Sequence, residues 1–340
     1  MSGSVARPKV YIDYISYFRA AGLGVNTDFT NSNINEDYSD VYTYSPYNTK
    51  TFTPVEENDA SDGSTALRFK AAMGNGTGEG AKLVESINYC GILNHNHYSL
   101  DNNYLIVHYL NQSFSLQQIS PVSVVYGYKN NFHLMEWDSS QTSNGNNYGI
   151  SATFTYSNWG DPLRLGSIIA GRSYTFPHNA NLSMNIDYNA DGIRTSRTLG
   201  GHDIVDVNYY KQPDWDGNPP FVTTHASGLS ATSHIGRRSW ALTFSFLTAT
   251  DTFPQDMGEN FMFDNVFDAD GSSTSWANHT TENITSHFMT LTMNGQLGFL
   301  FQPDDTKNTF AWCKLRSNSF SVQQSAPNLY TCKMTFDETW

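Results

Sequence analysis

The densest group of metal-binding side chains in the sequence is His95-Asn96-His97. Residues i and i+2 of a strand share one face, so two imidazoles at this spacing could bind one metal ion. A third ligand does not lie nearby in the sequence, and the segment follows the apolar run Ile92-Leu93. The sequence therefore favours a polar turn that ends a strand, with His95 and His97 kept as candidate ligand-binding residues.

A second pattern resembles half of a calcium-binding loop. Asp187, Asn189, Asp191 and Gly192 have the spacing of the first half of an EF-hand loop. The loop requires a bidentate Glu six residues after the Gly, and Thr198 stands there. Because Asn, Asp and Gly are also the residues that a tight hairpin turn requires, we interpret the segment as a turn.

Three carboxylates before Gly271 are also candidates for holding a cation: Asp264, Asp268 and Asp270. Carboxylate oxygens are suitable ligands for calcium. Acidic turns that contain glycine are common for other reasons, and Val266 interrupts the loop pattern. We therefore predict no bound metal and no cofactor.

Other side chains have types suited to binding. Trp137 and Trp159 could stack on the faces of sugar rings, although aromatic residues also fill cores and interfaces. Arg237 and Arg238 precede the strand-like run at Trp240 and could bind a carboxylate of a neighbouring subunit. The alternative for the arginine pair is a solvated strand entrance.

The local signatures of common enzymes do not occur in the sequence. It has no nucleophile elbow, no zinc-protease helix pattern and no cysteine–histidine signature. The glycine-rich run from Gly74 to Gly80 lacks the Lys-Ser/Thr pair of a phosphate-binding loop. We therefore predict a protein that is not an enzyme.

Composition limits the possible partners. The formal net charge is −13, with 19 basic residues against 32 acidic ones, whereas phosphate binding needs clustered lysine and arginine. This balance argues against nucleic acid and against an anionic membrane surface. The sequence lacks a secretory leader and an apolar run of the roughly 20 residues that span a bilayer, so we expect no membrane insertion. The three cysteines, Cys90, Cys313 and Cys332, are interpreted as buried thiols, and the last two could face each other on neighbouring strands.

The first half of the chain has the pattern of a β protein. Residues 1–50 contain a short strand at Val10-Tyr11-Ile12, and Asp13 is predicted to cap a short helix from Tyr14 to Ala21, followed by a polar arm. In residues 51–162 short apolar runs alternate with loops rich in Gly, Asn and Ser, which predicts a jelly-roll β-sandwich. The predicted strands are Ala66–Ala71, Leu83–Leu93, Tyr104–Leu110, Val122–Tyr128, Phe132–Trp137 and Gly149–Tyr156.

The second half, residues 163–340, is predicted to form a β-barrel or sandwich with one packed α-helix near residues 281–293. A strand ending at Tyr188 is expected to pair across the turn with a strand that starts at Ile193. Trp240, Leu242, Phe244 and Phe246 alternate with small or polar residues, which predicts one buried face. The last predicted strands are Leu297–Phe301, Phe310–Arg316, Ser319–Gln324 and Leu329–Glu338.

Several short segments resemble known phage proteins. Gly171–Pro177, Gly236–Phe246, Gly298–Asp304 and Asn328–Glu338 are similar to tail proteins of marine tailed phages, and the order of strands and helix resembles the β-barrel domain of distal-tail and tail-tip proteins. In the first half, Ile87–Asn96 is similar to a strand and turn of galactose-binding-like jelly rolls.

The resemblance implies a virion structural protein of a tail tip or baseplate, assembled in the host cytoplasm. It would form a ring or adaptor through contacts with its own copies and with other tail proteins. The alternative is a carbohydrate-binding module that attaches a tail to a glycan on the host surface.

Overall fold

The structure, a computed structural model, describes residues 7–22, 25–30, 46, 50–52, 65–73, 83–84, 86–95, 105–110, 116–126, 132–141, 149–156, 163–180, 185–189, 193–207, 223–224, 230–231, 237–253 and 283–339. These residues form 22 strands in all. The strands are β1 Lys9–Asp13, β2 Val25–Thr30, β3 Lys50–Phe52, β4 Thr65–Met73, β5 Tyr89–Leu93, β6 Leu105–Leu110, β7 Leu116–Gln118, β8 Ser123–Tyr126, β9 Phe132–Glu136, β10 Gly149–Tyr156, β11 Leu163–Leu165, β12 Ser167–Thr175, β13 Asn185–Asn189, β14 Ile193–Arg197, β15 Asp203–Val207, β16 Thr223–Thr224, β17 Ser230–Ala231, β18 Arg237–Leu247, β19 Phe299–Gln302, β20 Ala311–Leu315, β21 Ser321–Ala326 and β22 Leu329–Glu338. The predicted mainly β class is confirmed.

Helical segments in the described residues are short. Helix α1 spans Tyr14–Ala20, and Asp13 caps it as predicted. A 3-10 turn covers Ser139–Gln141, a four-residue helix covers Ala249–Thr252, and a π-helix covers Ile284–Met289. The π-helix lies where the sequence predicts the packed helix.

The π-helix is bounded by polar residues at both ends. The Asn283 side chain accepts a hydrogen bond from the Ser286 backbone at 2.7 Å, so Asn283 is the cap. Asn294 and Gly295 both adopt positive φ and stop the helical segment, as the sequence predicts. The inward side chains Ile284 and Phe288 are fully buried.

Most strands belong to two sheets. An 11-stranded sheet has the order β13-β18-β22-β20-β19-β1-β12-β5-β9-β8, with β21 also paired to β22. A five-stranded sheet has the order β2-β4-β10-β6-β7. The first strand of the chain, β1, lies in the middle of the large sheet, between β12 and β19. One hydrogen-bonded sheet therefore contains strands from all three segments that the sequence suggested.

One face of the large sheet packs on the small sheet. Phe69 of β4 and Ile150 of β10, in the small sheet, share a hydrophobic core with Val10 and Ile92 of the large sheet. Further along the same face, Phe288 of the π-helix packs edge-on against Phe299, with ring centroids 5.1 Å apart. The two sheets and the helices thus enclose one continuous core, as in a β-sandwich.

The large sheet is strongly curled. Phe132 belongs to β9 and Phe310 directly precedes β20, and the sheet order separates these strands by five positions. In a flat sheet that spacing would be about 24 Å. The ring centroids of Phe132 and Phe310 are only 5.2 Å apart. The second face of the sheet therefore closes on itself and forms a separate aromatic core that includes Tyr11, Tyr89 and Trp312.

Two strand predictions are wrong in part. Leu83 and Val84 are helical, with the Ser86 amide donating to the Leu83 carbonyl at 3.0 Å, so the predicted strand begins only at Tyr89. The strand that starts at Ile193 does not pair with β13. It pairs with β15, while β13 pairs with β18.

Candidate functional site

His95 has a partner that is distant in the sequence. It follows β5, and its Nε2 lies 2.6 Å from Nδ1 of His133 on β9. The rings are stacked with centroids 4.6 Å apart, and both residues are buried. The pairing arises because β5 and β9 are neighbours, with Ile92 opposite His133. The predicted companion, His97, lies outside the described residues.

The geometry of this pair is that of a hydrogen bond between imidazoles. One nitrogen carries the proton and the other accepts it, so at least one ring offers a lone pair. Two nitrogens bound to one tetrahedral zinc ion would be about 3.4 Å apart, since each lies about 2.1 Å from the metal. Within the described part of the chain, histidine, cysteine and carboxylate side chains form no group of three that could hold a metal ion.

Asp13 is a buried carboxylate that organises the junction of β1 and α1. It accepts hydrogen bonds from the Ile15 amide at 3.1 Å, the Ser16 hydroxyl at 2.5 Å and the Ala170 amide at 3.4 Å. Burial raises the pKa of Asp13 to about 6, against the opposing effect of these hydrogen bonds. The carboxyl group therefore titrates in a mildly acidic range.

The Cys90 thiol lies on β5, close to the charge of Asp13. Burial, with a contribution from that charge, raises the pKa of Cys90 to about 12. A reactive thiol requires a lowered pKa, so Cys90 has the properties of a core residue. Cys332 also has its pKa raised to about 12 by burial, and all three cysteines are free and buried. Cys313 is opposite Glu338 in the sheet, so Cys313 and Cys332 do not face each other.

Arg238 binds a carboxylate of its own chain. Its guanidinium contacts both oxygens of Glu338, with Nε to Oε2 at 2.9 Å and Nη2 to Oε1 at 2.7 Å. It also donates to the Phe310 carbonyl and lies over the Trp240 ring. The interpretation of Arg238 as a solvated strand entrance is thus wrong, and the carboxylate it holds is intramolecular. Arg237 is the first residue of β18.

Trp137, one of the two proposed sugar-stacking residues, is a core residue. Its side chain is buried and its Nε1 donates to the Ile87 carbonyl at 3.0 Å. The hydrogen bond satisfies the indole nitrogen without a ligand. Trp159 and the candidate metal carboxylates Asp264, Asp268 and Asp270 lie outside the described residues. Asp187 and Asn189, of the calcium-like pattern, belong to β13.

Phe246 is the exposed aromatic residue that the sequence predicted to be buried. Burial alternates along β18 from Trp240 to Phe244, and then the register shifts before Leu247. Phe246 sits in this bulge with φ +62° and is 73% exposed, whereas Leu247 takes the inward position. The alternation of Trp240, Leu242 and Phe244 does not predict the register shift. The successive apolar residues Phe246 and Leu247 are compatible with a bulge.

A second outward feature is the hairpin of β14 and β15, which forms a two-stranded sheet of its own. Leu199 stands at its tip, and Ile204 and Val205 on β15 are more than half exposed. Neighbouring residues of a strand point to opposite faces, so apolar side chains reach solvent on both faces of the ribbon. Phe246 and this hairpin are two candidate interaction surfaces.

Comparison with protein families, with curated proteins and with solved structures finds no match to the chain. In the portion of the chain that the structure describes, no helix combines the length and the apolar character needed to cross a membrane.

Proposed function

We propose that the protein is a structural component that works by assembling with other proteins, and that its place is the tail tip or baseplate of a tailed phage. The observation that carries the assembly role is Phe246. An aromatic residue at positive φ costs about 1 to 2 kcal/mol, and its exposure gains nothing from burial in the isolated chain. A partner that buries Phe246 would offset this cost.

The surroundings of Phe246 suit a contact surface. The residue lies at the end of β18, beside the well-anchored strand β22. Ala241 on β18 and Lys333 on β22 are exposed, and Thr243 is partly exposed, so the described outward residues near Phe246 on these strands are mostly small or polar. A buried aromatic anchor within a polar rim is the usual arrangement of protein–protein interfaces.

The buried polar groups fit a scaffold better than a reaction centre. Asp13 caps a helix, Arg238 is occupied by Glu338, and Cys90 is held as a protonated thiol. Asp13 and Arg238 make these contacts within the same chain. Among the described residues, exposed apolar side chains such as Phe246 are accessible to a second molecule.

The assignment to a phage tail rests on the resembling segments. All four fall on core strands: Gly171 lies in β12, residues Arg237 to Phe246 lie in β18, Gly298 directly precedes β19, and the closing segment contains β22. A side chain at Gly171 would meet the Ile12 carbonyl at 2.1 Å, and one at Gly298 would meet the Trp312 ring at 2.3 Å. These glycines are therefore required by close packing within this fold. For the carbohydrate-binding alternative, the one candidate stacking residue within the described residues, Trp137, is buried and offers no surface to a sugar ring.

Purified virus particles provide the test of this proposal. Virus particles purified from the source should contain the chain in several copies, detected by mass spectrometry. Gold-labelled antibodies should mark one end of the tail in negative stain. Absence of the chain from intact particles would overturn the assignment to a tail, whereas labelling along the whole tail would contradict the position at its tip.

A further inference from the structure

The hairpin of β14 and β15 has an unusual distribution of charge. Strand β14 contains Arg194 and Arg197 and no acidic residue, whereas β15 contains Asp203 and Asp206 and no lysine or arginine. The register places each arginine opposite an aspartate. The ribbon thus has one basic strand and one acidic strand.

The outer edges of this ribbon are suited to strand pairing. The Thr198 amide donates to the His202 carbonyl at 2.9 Å, which makes this a hydrogen-bonded pair. Bonded and non-bonded pairs alternate in antiparallel sheets, so the backbone groups of Arg197, Asp203 and Val205 point outward from the ribbon. In the described part of the chain β14 and β15 pair only with each other.

The ribbon also has a reason to need a partner. A lone two-stranded hairpin is marginally stable in water. The described side chains from Thr195 to Val205 are exposed apart from the partly buried Thr198. The salt bridge between Arg197 Nε and Asp203 Oδ1, at 3.7 Å, joins two mostly exposed side chains and adds little.

We propose that the ribbon joins copies of this chain head to tail, with the acidic strand β15 of one copy pairing with the basic strand β14 of the next. This inference rests on the proposed assembly function and names the partner as a second copy. Pairing β15 with β14 alternates acidic and basic strands across the interface, whereas β14 against β14 or β15 against β15 would place like charges side by side. Contact between two different strands is heterologous, and such contacts generate rings when the rotation closes.

Complementary charge reversal tests the proposal. The first variant carries Arg194→Glu and Arg197→Glu, which makes both strands acidic. The second carries Asp203→Lys and Asp206→Lys, which makes both strands basic. Each variant alone should self-associate at least about tenfold more weakly than the wild type in light scattering. An equimolar mixture should restore assembly, because every acidic strand then finds a basic neighbour.

The mixture separates this interface from a simple folding defect. A hairpin damaged by the substitutions would not be rescued by a second damaged hairpin. If both variants assemble as the wild type does, the ribbon proposal is overturned and the assembly function stands. If neither variant assembles and the mixture stays dissociated, the charge pairing is also overturned. A wild-type chain that stays monomeric at every concentration would instead reject the proposed function itself.

Discussion

Arg238 and Glu338 form a buried two-point ion pair that fastens the end of the chain to a strand 100 residues earlier. The Arg238 amide donates to the same carboxylate at 2.9 Å, and the side chains are 7% and 0% exposed. The Arg238 guanidinium of this pair lies over the ring of Trp240. It therefore couples the C-terminal strand β22 to β18, the strand that carries Phe246.

Removal of one partner of this pair should destabilise the fold strongly. Glu338→Ala leaves the Arg238 guanidinium buried without its carboxylate, and we expect a loss of about 3 to 5 kcal/mol in the free energy of unfolding. The double variant Arg238→Met with Glu338→Leu should lose much less stability than the sum of the losses measured for Arg238→Met and Glu338→Leu alone. Urea unfolding measures all of them. Additive losses would mean that the two side chains are not coupled.

Asp13 predicts a dependence of stability on pH. Its pKa is raised by burial from 3.8 to about 6 in the folded state, so the folded protein binds more protons than the unfolded chain between these values. The stability contributed by this group is thus fully present below pH 4 and is lost as the pH rises to about 6. The total change is about 3 kcal/mol, and above pH 6 the free energy of unfolding no longer depends on this group.

The matched control for this pH effect is Asp13→Asn, because asparagine also caps helices and does not titrate. Unfolding free energies of the wild type and the variant should be compared at pH 4, 5, 6 and 7. Their difference should move in favour of the variant as the pH rises. A difference that is constant across this range would show that Asp13 titrates normally.

The thiols should be unreactive in the folded protein. With a pKa of about 12, only about one ten-thousandth of Cys90 or Cys332 is thiolate at pH 8. Iodoacetamide at pH 8 should leave all three cysteines unmodified in native conditions and modify all three in guanidinium chloride, as read by mass spectrometry. Rapid labelling of a single cysteine in the folded protein would contradict its burial.

Much of the regular β structure is predictable from the sequence. Strand β22 has the predicted bounds, Leu329–Glu338, because its side chains alternate cleanly between a buried face and a polar face. The cap at Asp13 is also predictable, since capping is a local interaction. The position of β1 in the middle of the large sheet is not, because pairing with β12 and β19 depends on contacts far along the chain.

The candidate interaction surfaces were less accessible to sequence reasoning. The register shift that exposes Phe246 depends on the pairing of β18 with β22, which the alternation within β18 alone does not record. The local sequence singles out His95 as a candidate ligand-binding residue. It does not indicate the partner His133, because that residue is 38 positions away. The sequence offers Arg238 either a carboxylate of a neighbouring subunit or a solvated position, whereas its partner in the structure is Glu338 of the same chain.

Backbone strain at Phe246 leads to a comparison of two substitutions. Phe246→Gly removes the aromatic ring and also the cost of positive φ, whereas Phe246→Ala removes only the ring. We expect the glycine variant to be more stable than the alanine variant by about 1 kcal/mol in urea unfolding. Equal stabilities would indicate that the chain at this position relaxes to an unstrained conformation.

The most direct measurement of the assembly function is the mass of the protein in solution, determined by light scattering over a range of concentrations. We expect a multimer for the wild type and weaker association for Phe246→Gly. The control Val122→Ser removes another exposed apolar side chain, next to β8 at the far edge of the large sheet, and should leave the mass unchanged. A wild-type chain that is monomeric throughout, or a Phe246→Gly variant that assembles as tightly as the wild type, would contradict the assembly function.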